Sequence, residues 1–348
     1  MPNHSQIPTP NLFEIVGYWE LSVGRSWMLG VGSGWKLPAA ACRARVTSSG
    51  EVSPKRAPVC GREGGALAVG SLRNIPRVLQ TTLALAQRVE RTEIDFCAVG
   101  AGVGVPGGAA SIEVGGGRGV CGQPGSPMNK VLGLGLGVTV TDEDLDALEL
   151  FYDERECPIQ IELCPLVSTD LVAKLQGRGY ILKGFENELA RVVPDSVPAT
   201  NGPHVEVLTG DRDEEAFLRA TVEGFAVPDS MPRAPDAPAP DVVETITRMM
   251  RQFIHPDIVR YLVRIDGEPA GAAASVITNG VLGIFGTGTR PAYRRRGVQS
   301  AIVAKALESA IGRADLAIAT TEPGTISQRT FERFGFQVLY TRAILLRT

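Results

Sequence analysis

The sequence predicts an α/β protein in which one strand–helix–strand unit occurs twice. The first observation behind this is the hydrophobic pattern. Residues 71–348 alternate between strand-like runs such as "PIQIELCP" and helix-like runs such as "DEEAFLRATVEGFA". The second is internal similarity: "VLGLGLG" from Val131 stands beside "VLGIFGTG" from Val281. The third is order. Each of those strands is followed by a helix, a strand, a loop, a short helix and a glycine–aromatic pair, Gly179-Tyr180 or Gly335-Phe336. Shared elements in a shared order indicate an internal duplication.

The elements follow from local signals. Residues 1–70 mix Gly, Arg, Ser and Pro without period, so an atypical or disordered extension is expected there. "LRNIPRVLQTTLALAQRVERTEIDFCAVG" places Leu79, Leu83, Leu85, Val89 and Ile94 roughly on one helical face. "DEDLDALELFYDERE" is a helix with Thr141 as N-cap, and Asp142, Glu143 and Asp144 favour its positive end. "STDLVAKLQGRGY" is a capped helix closed by glycine, and "ILKGFENELARVV" is a strand. "PDSVPATNGPH", residues 194–204, is a linker between a first half, 71–193, and a second, 205–348. The second half opens with the strand "VEVLTG" and a helix. A Pro-rich loop follows at 227–240, then a helix with Asp241 as its cap. Three strands joined by "DGEP" and "TNG" turns complete this part.

Composition narrows the function. Lys and Arg total 35 against 38 Asp and Glu, a net charge of −3, which argues against a general nucleic-acid binder. No apolar run reaches the roughly 18 residues of a membrane helix, and the N-terminus has no basic start followed by an apolar core. A soluble, cytoplasmic protein is expected, with neither nucleic acid nor membrane as partner. The six cysteines, Cys42, Cys60, Cys97, Cys121, Cys157 and Cys164, form no C-x-x-C pair, so free thiols and no metal site are expected. Three histidines leave little for a Ser-His-Asp or Cys-His mechanism, and His255 before Pro256 is read as structural.

The two halves differ most where a strand turns into a helix. In the second half this junction is "TRPAYRRRGVQSA"; in the first it is "VTVTDEDLDAL". A phosphate binds where free N–H groups leave a helix N-terminus and the helix dipole adds its positive end. Gly297 lets the backbone approach such an anion. Val298, Gln299, Ser300 and Ala301 offer amides there, and Arg294, Arg295 and Arg296 add charge. Asp142–Asp144 at the matching place would repel a phosphate, so one anion site is expected, in the second half.

"TRPAYRRRGVQSAIVAKALESA", the strand "ADLAIATT" and "EPGTISQRTFERFGF" resemble the acetyl-CoA-binding core of the GNAT N-acetyltransferase superfamily. Arg294 and Gly297 match the first half of its Gln/Arg-x-x-Gly-x-Gly/Ala signature, and Gln299 replaces the second small residue. The resemblance covers residues 205–348; residues 71–193 resemble a degenerate copy, as in a tandem-GNAT protein. It implies an α/β (α+β) fold of two GNAT-like repeats, each a mixed, mostly antiparallel central sheet flanked by helices. It also implies acetyl-CoA as co-substrate. Its pantetheine arm would lie along Phe285, Gly286, Thr287, Gly288 and Thr289 and its pyrophosphate on Arg295–Ser300.

Acetyl transfer to an amine needs a base for the amine and a proton for the leaving thiolate. The resemblance puts the usual tyrosine donor at Phe331, which cannot donate, with Thr330 beside it. Tyr340 and Ser327 are the substitutes, each of which also has an ordinary use in packing or capping. Glu322, just after the strand "LAIATT", is the candidate base or else a solvated loop carboxylate. Asp229, Asp236 and Asp241 of the Pro-rich loop could attract a cationic amine. The expected function is acyl-CoA-dependent N-acyl transfer, direct in a ternary complex, to a primary amine of a small molecule. A non-catalytic acetyl-CoA-binding or sensing module is the alternative, a purely structural role is a third, and a homodimer is left open.

Overall fold

The computed structural model describes residues 78–347, apart from 105, 123–125, 210, 227–239 and 252. The expected extension, with Cys42 and Cys60, and the loop carboxylates Asp229 and Asp236 lie outside the described residues, as does the side chain of Asp241. Residues 77–348 fall in one compact unit.

The first half runs α1 (Leu83–Gly100), β1 (Ala110–Val114), β2 (Gly117–Cys121), β3 (Val131–Leu132), α2 (Asp142–Asp153), β4 (Ile159–Leu163), α3 (Thr169–Gly177) and β5 (Ile181–Val192). The second runs β6 (Val205–Leu208), α4 (Glu214–Phe225), α5 (Pro240–Arg251), β7 (Val259–Ile265), β8 (Glu268–Thr278), β9 (Val281–Thr289), α6 (Val298–Ala310), β10 (Leu316–Thr321), α7 (Ile326–Arg333) and β11 (Gln337–Arg347).

Local chemistry sets most boundaries. Thr141 and Asp144 form a reciprocal capping box at the start of α2, with Asp142, Glu143 and Asp144 in its first turn. Ser168 caps α3, and Gly179 just past its end is left-handed at φ +87°. Asp266-Gly267 and Asn279-Gly280 are both left-handed pairs, as two-residue hairpin turns require. Two expectations shift. Helix α1 starts at Leu83, capped by Thr82, and leaves Leu79 outside. Helix α5 starts at Pro240, one residue before Asp241, because proline suits a first turn whose N–H has no helical partner.

All eleven strands form one sheet, in the order β1-β2-β3-β4-β11-β5-β10-β9-β8-β7-β6. Only β3/β4 and β9/β10 are parallel, each joined by a crossover helix, α2 and α6. The same strand–helix–strand order therefore occurs in both halves. The halves are not side by side but interlocked. β11, the last strand of the second half, lies between β4 and β5 of the first, and β5 lies between β10 and β11 of the second.

The sheet is covered on both faces. Phe217, Leu218, Ile246, Met250, Ile94 and Cys97 from α4, α5 and α1 pack on Leu262, Ala272 and Ala274. The alternating residues Tyr261, Val263 and Ala273 face Val298, Ile302, Val303 and Phe331 of α6 and α7. In the first half, Leu145, Leu148, Leu171 and Leu175 of α2 and α3 cover Ile159, Ile161 and Leu163. The described cysteines, Cys97, Cys121, Cys157 and Cys164, are free thiols.

Where the exchanged strands meet, the face under α1 is charged. Arg342 of β11 has no exposed surface. Its guanidinium bonds Glu90 at 2.9 Å and Glu93 at 2.6 Å, both on α1, and lies 3.3 Å from Glu188 of β5 and 3.6 Å from Glu162 of β4. Lys130 holds the other side of Glu162 at 2.8 Å. Burial, followed by other carboxylates, holds the Glu188 carboxyl well above its usual range. Removing one partner of a buried ion pair leaves charge without compensation and typically costs about 3–5 kcal/mol. Arg342→Met should therefore lower urea-unfolding stability by about 3–5 kcal/mol at pH 7. The loss should be smaller at pH 5: carboxyls raised by burial are protonated in the folded chain there, while those of the unfolded chain are still ionised. Equal losses at both pH values would show that the guanidinium's charge is not what matters.

Candidate active site

Strands β9 and β10 pair in parallel only from Val281/Leu316 to Ile284/Ala319. Beyond that point β9 continues through Phe285–Thr289 and stays hydrogen-bonded to β8, with a bulge where Ala272 faces Gly288 and Ala274 faces Phe285. Gly286 in the bulge is left-handed at φ +60°, a conformation that suits glycine. The β10 side of Phe285–Thr289 is thus a free strand edge, able to take an extended partner as an added strand.

The same strand leads into the start of α6. Gly297 is its N-cap, left-handed at φ +78° and ψ 9°, with no side-chain cap on the helix. A Cβ at Gly297 would find its nearest neighbours, Gly202 and Pro203, at 3.7 and 3.8 Å, so the position demands glycine for its backbone angle rather than for lack of room. The amides of Val298, Gln299 and Ser300 precede the first helical bond, from the Ala301 N–H to the Gly297 carbonyl at 2.9 Å. These three amides, without helical partners and at the dipole's positive end, favour an anion, whereas the Ala301 N–H, expected to be free, is spent on Gly297.

The three arginines divide their roles. Arg294 donates to the Thr289 and Gly224 carbonyls, both at 3.4 Å, and ties the loop to the end of β9. Arg296 reaches Asp266 at 3.4 Å and lies near the Tyr293 ring. Arg295, exposed and left-handed at φ +63°, sits at the turn itself. Gln299, where the signature has a small residue, donates to the Ser327 hydroxyl at 2.8 Å and so joins the starts of α6 and α7.

The matching place in the first half is filled. After Leu132 the chain turns through Gly133, Gly135 and Gly137, all left-handed, instead of continuing as a strand. The Gly133 N–H bonds Glu90, the Gly135 N–H bonds Gly115, and the Leu136 carbonyl accepts from Gln87. A Cβ on Gly135 would meet Leu171 at 2.4 Å. At the α2 start, Thr141 and Asp144 occupy the cap, and Arg178 bonds Asp142 and Asp146 at 3.1 and 2.6 Å. No backbone edge and no bare helix start are left there.

The structure brings Phe285–Thr289, Arg294–Ser300 and Ser327 into one region and sets Tyr340 apart from it. Tyr340 is buried, two strand spacings or about 10 Å from β10. Its hydroxyl donates to Glu90 at 2.9 Å in the Arg342 cluster, and burial and Glu90 push its pKa upward. Its proton is committed to a buried carboxylate, so Tyr340 belongs to the core network. Phe331 is buried against Phe336 edge-to-face, and the Thr330 hydroxyl donates to the Ile326 carbonyl. Glu322, one residue past β10, is half-buried, and burial raises its carboxyl above the usual range. His255 accepts from the Asp257 N–H at 3.2 Å, a local turn contact.

Sequence reasoning missed the charged face beside this region. Thr320, the first β10 residue past the last pair with β9, donates to Glu93 of α1 at 2.6 Å. The available signal was Glu90 and Glu93 at helical spacing i, i+3 inside an otherwise apolar face. Among the described residues no group of three or more His, Cys, Asp or Glu side chains is placed to hold a metal ion.

Residues 228–336, from the Pro-rich loop through β9, α6 and α7, match the acetyltransferase (GNAT) family. That stretch is similar to a GNAT acetyltransferase domain. A GCN5-related N-acetyltransferase from Kribbella flavida shares the fold at a TM-score of 0.54 and 20% identity, over 75% of this chain and 95% of that one. A GCN5-related N-acetyltransferase from Sphaerobacter thermophilus aligns at 0.44 and 17%, over 76% and 93%. A tandem GNAT protein from the clavulanic acid biosynthesis pathway aligns at 0.46 and 14%, over 77% and 96%. No curated protein matches the sequence. The matched residues hold both the parted strands and the open start of α6. Among the described residues no helix is long and apolar enough to cross a membrane.

Proposed function

We propose that this chain is an acyl-CoA-dependent N-acetyltransferase with a single acyl-CoA site, in its second half, acting directly on a primary amine of a small molecule. The carrying observation is the contrast between the halves: the β9 edge and α6 start are open, and their counterparts at β3 and α2 are filled. The open elements suit acetyl-CoA. The edge of Phe285–Thr289 would take the pantetheine amides, and the amides of Val298–Ser300 with Arg294 and Arg295 would take the pyrophosphate. Acetyl-CoA supplies the acetyl thioester. The chain's own part is to hold and deprotonate the amine, and to return a proton to the thiolate.

Glu322 is the proposed base, because a half-buried carboxyl with a raised pKa is better matched to a proton transfer near neutral pH. Ser327 is the proposed donor; its oxygen accepts from Gln299, which leaves its own proton free to give. Phe331, packed in the core where a tyrosine donor was expected, favours the second reading, a module that binds acetyl-CoA without turnover. Release of thiol from acetyl-CoA across a panel of primary amines separates the two readings.

Gly297→Asp places a carboxylate at the anion site, and acetyl-CoA binding by calorimetry should fall below detection while the fold persists by circular dichroism. Unchanged affinity would remove the pyrophosphate assignment. The wild-type stoichiometry should be one per chain, and a value of two would refute the claim that the first half is empty. Glu322→Gln should lower kcat by about 10²-fold or more. In the wild type, kcat/KM should fall as pH drops through the raised Glu322 pKa, since the base must be ionised. That acid limb should be absent in the variant, and an unaltered pH profile would rule Glu322 out as the base.

A further inference from the structure

The charged face under α1 holds more carboxylates than cations. Glu90, Glu93, Glu162, Glu186 and Glu188 share it with Arg342 and Lys130. Its polar atoms are not all used: Glu162 Oε2, Glu188 Oε1 and Arg342 Nη2 have no hydrogen-bond partner, although these residues are only 3%, 0% and 0% exposed.

The network reaches the surface beside the gap between β9 and β10. The Glu93 side chain is 13% exposed. One Glu93 oxygen accepts from Arg342 at 2.6 Å, and the other accepts from Thr320 at 2.6 Å. Burial alone would raise this carboxyl. Arg342 and Lys130, with hydrogen bonds from Thr320 and Arg342, overcome that and hold it below the usual range, ionised at neutral pH. One turn along α1, the half-buried Phe96 stacks on Phe285, the first β9 residue past the last pair. Residues 93 and 96 of one helix thus meet the two strands on either side of the gap. A fixed carboxylate beside aromatic faces is the chemistry that recognises an ammonium on an apolar body.

We propose that α1 of the first half builds the acceptor site: Glu93 and Thr320, with the Phe96–Phe285 pair, bind the ammonium of a primary alkylamine that carries no acid group. This rests on the reading that the gap takes the acyl thioester. Glu93, held ionised, repels a carboxylate placed beside the ammonium, so α-amino acids bind more weakly.

The test is calorimetry on the full chain saturated with coenzyme A, which blocks turnover, using n-pentylamine and norleucine, which differ by one carboxylate. Pentylamine should bind, with norleucine at least about tenfold weaker. Glu93→Gln keeps the shape and removes the charge, with one oxygen left to accept from Arg342 and the Thr320 hydroxyl turned to accept from the new amide N–H, and should weaken pentylamine at least about tenfold with coenzyme A affinity unchanged. No pentylamine binding by the wild type, equal binding of norleucine, or an unaltered Glu93→Gln would each overturn the proposal. If Glu93→Gln loses the native circular dichroism spectrum, Phe96→Leu takes its place: weaker pentylamine binding is expected, and unchanged binding overturns the site. Glu93-dependent amine binding without coenzyme A binding would sink the acyl-CoA reading and leave the amine site standing. Coenzyme A binding without amine binding would do the reverse.

Discussion

The guanidinium of Arg342 is the interaction on which the rest of this molecule depends. It stands at the centre of an eleven-stranded sheet, where the last strand of each half has crossed into the other. Its partners come from α1, β4 and β5, so one side chain from the end of the chain ties together three elements of the first half. An ion pair in such a place is not a cheap source of stability, because desolvation opposes it. What it specifies is register. Glu90 anchors the turn after β3 through the Gly133 amide, and Glu93 reaches Thr320 at the edge of the candidate site. Shifting β11 by one residue would turn Arg342 to the opposite face and leave these carboxylates buried without a cation.

From that shared frame the halves diverge through the same residue type. Glycines follow β3 and interrupt β9, and in both places they take left-handed angles. After β3 three of them in alternation roll the chain into turns, whose amides and carbonyls are satisfied by Gly115, Gln87 and Glu90. Within β9 one glycine makes a bulge and the strand continues, past Ile284 paired on the β8 side only. The helix starts follow suit. Thr141 and Asp144 close α2, whereas Gly297 brings no side chain to α6. An anion site needs both a close backbone approach and unspent amides, and only the second half keeps the two together.

What could be read from sequence was what is decided within a few residues. The cap at Thr141, the two-residue turns, the glycine at 297 and the duplicated order of elements are local and came through. The strand exchange did not, because antiparallel pairing carries no local mark of which strand a neighbour comes from. Tyr340 shows the cost. Read along the chain it lies near Ser327 and Phe331; read across the sheet it sits beside Glu188, under α1. Glu186 and Glu188 were equally hidden, since alternate carboxylates on a strand usually mark a solvated face. That face is instead roofed by α1, a helix far away in sequence.

The exchange also makes the second half depend on the first. Without β5, strand β10 would present an unpaired edge, and β11 would lose one of its two neighbours. Without α1, Thr320 and Phe285 would lose their partners Glu93 and Phe96. The first half is therefore not a spare copy attached to a working one. Its own groove is closed by the packing of Leu134 and Leu136, and that closure fixes the turn against which Glu90, and with it the face of α1, is held. Filling one groove makes the rigid wall that the other needs.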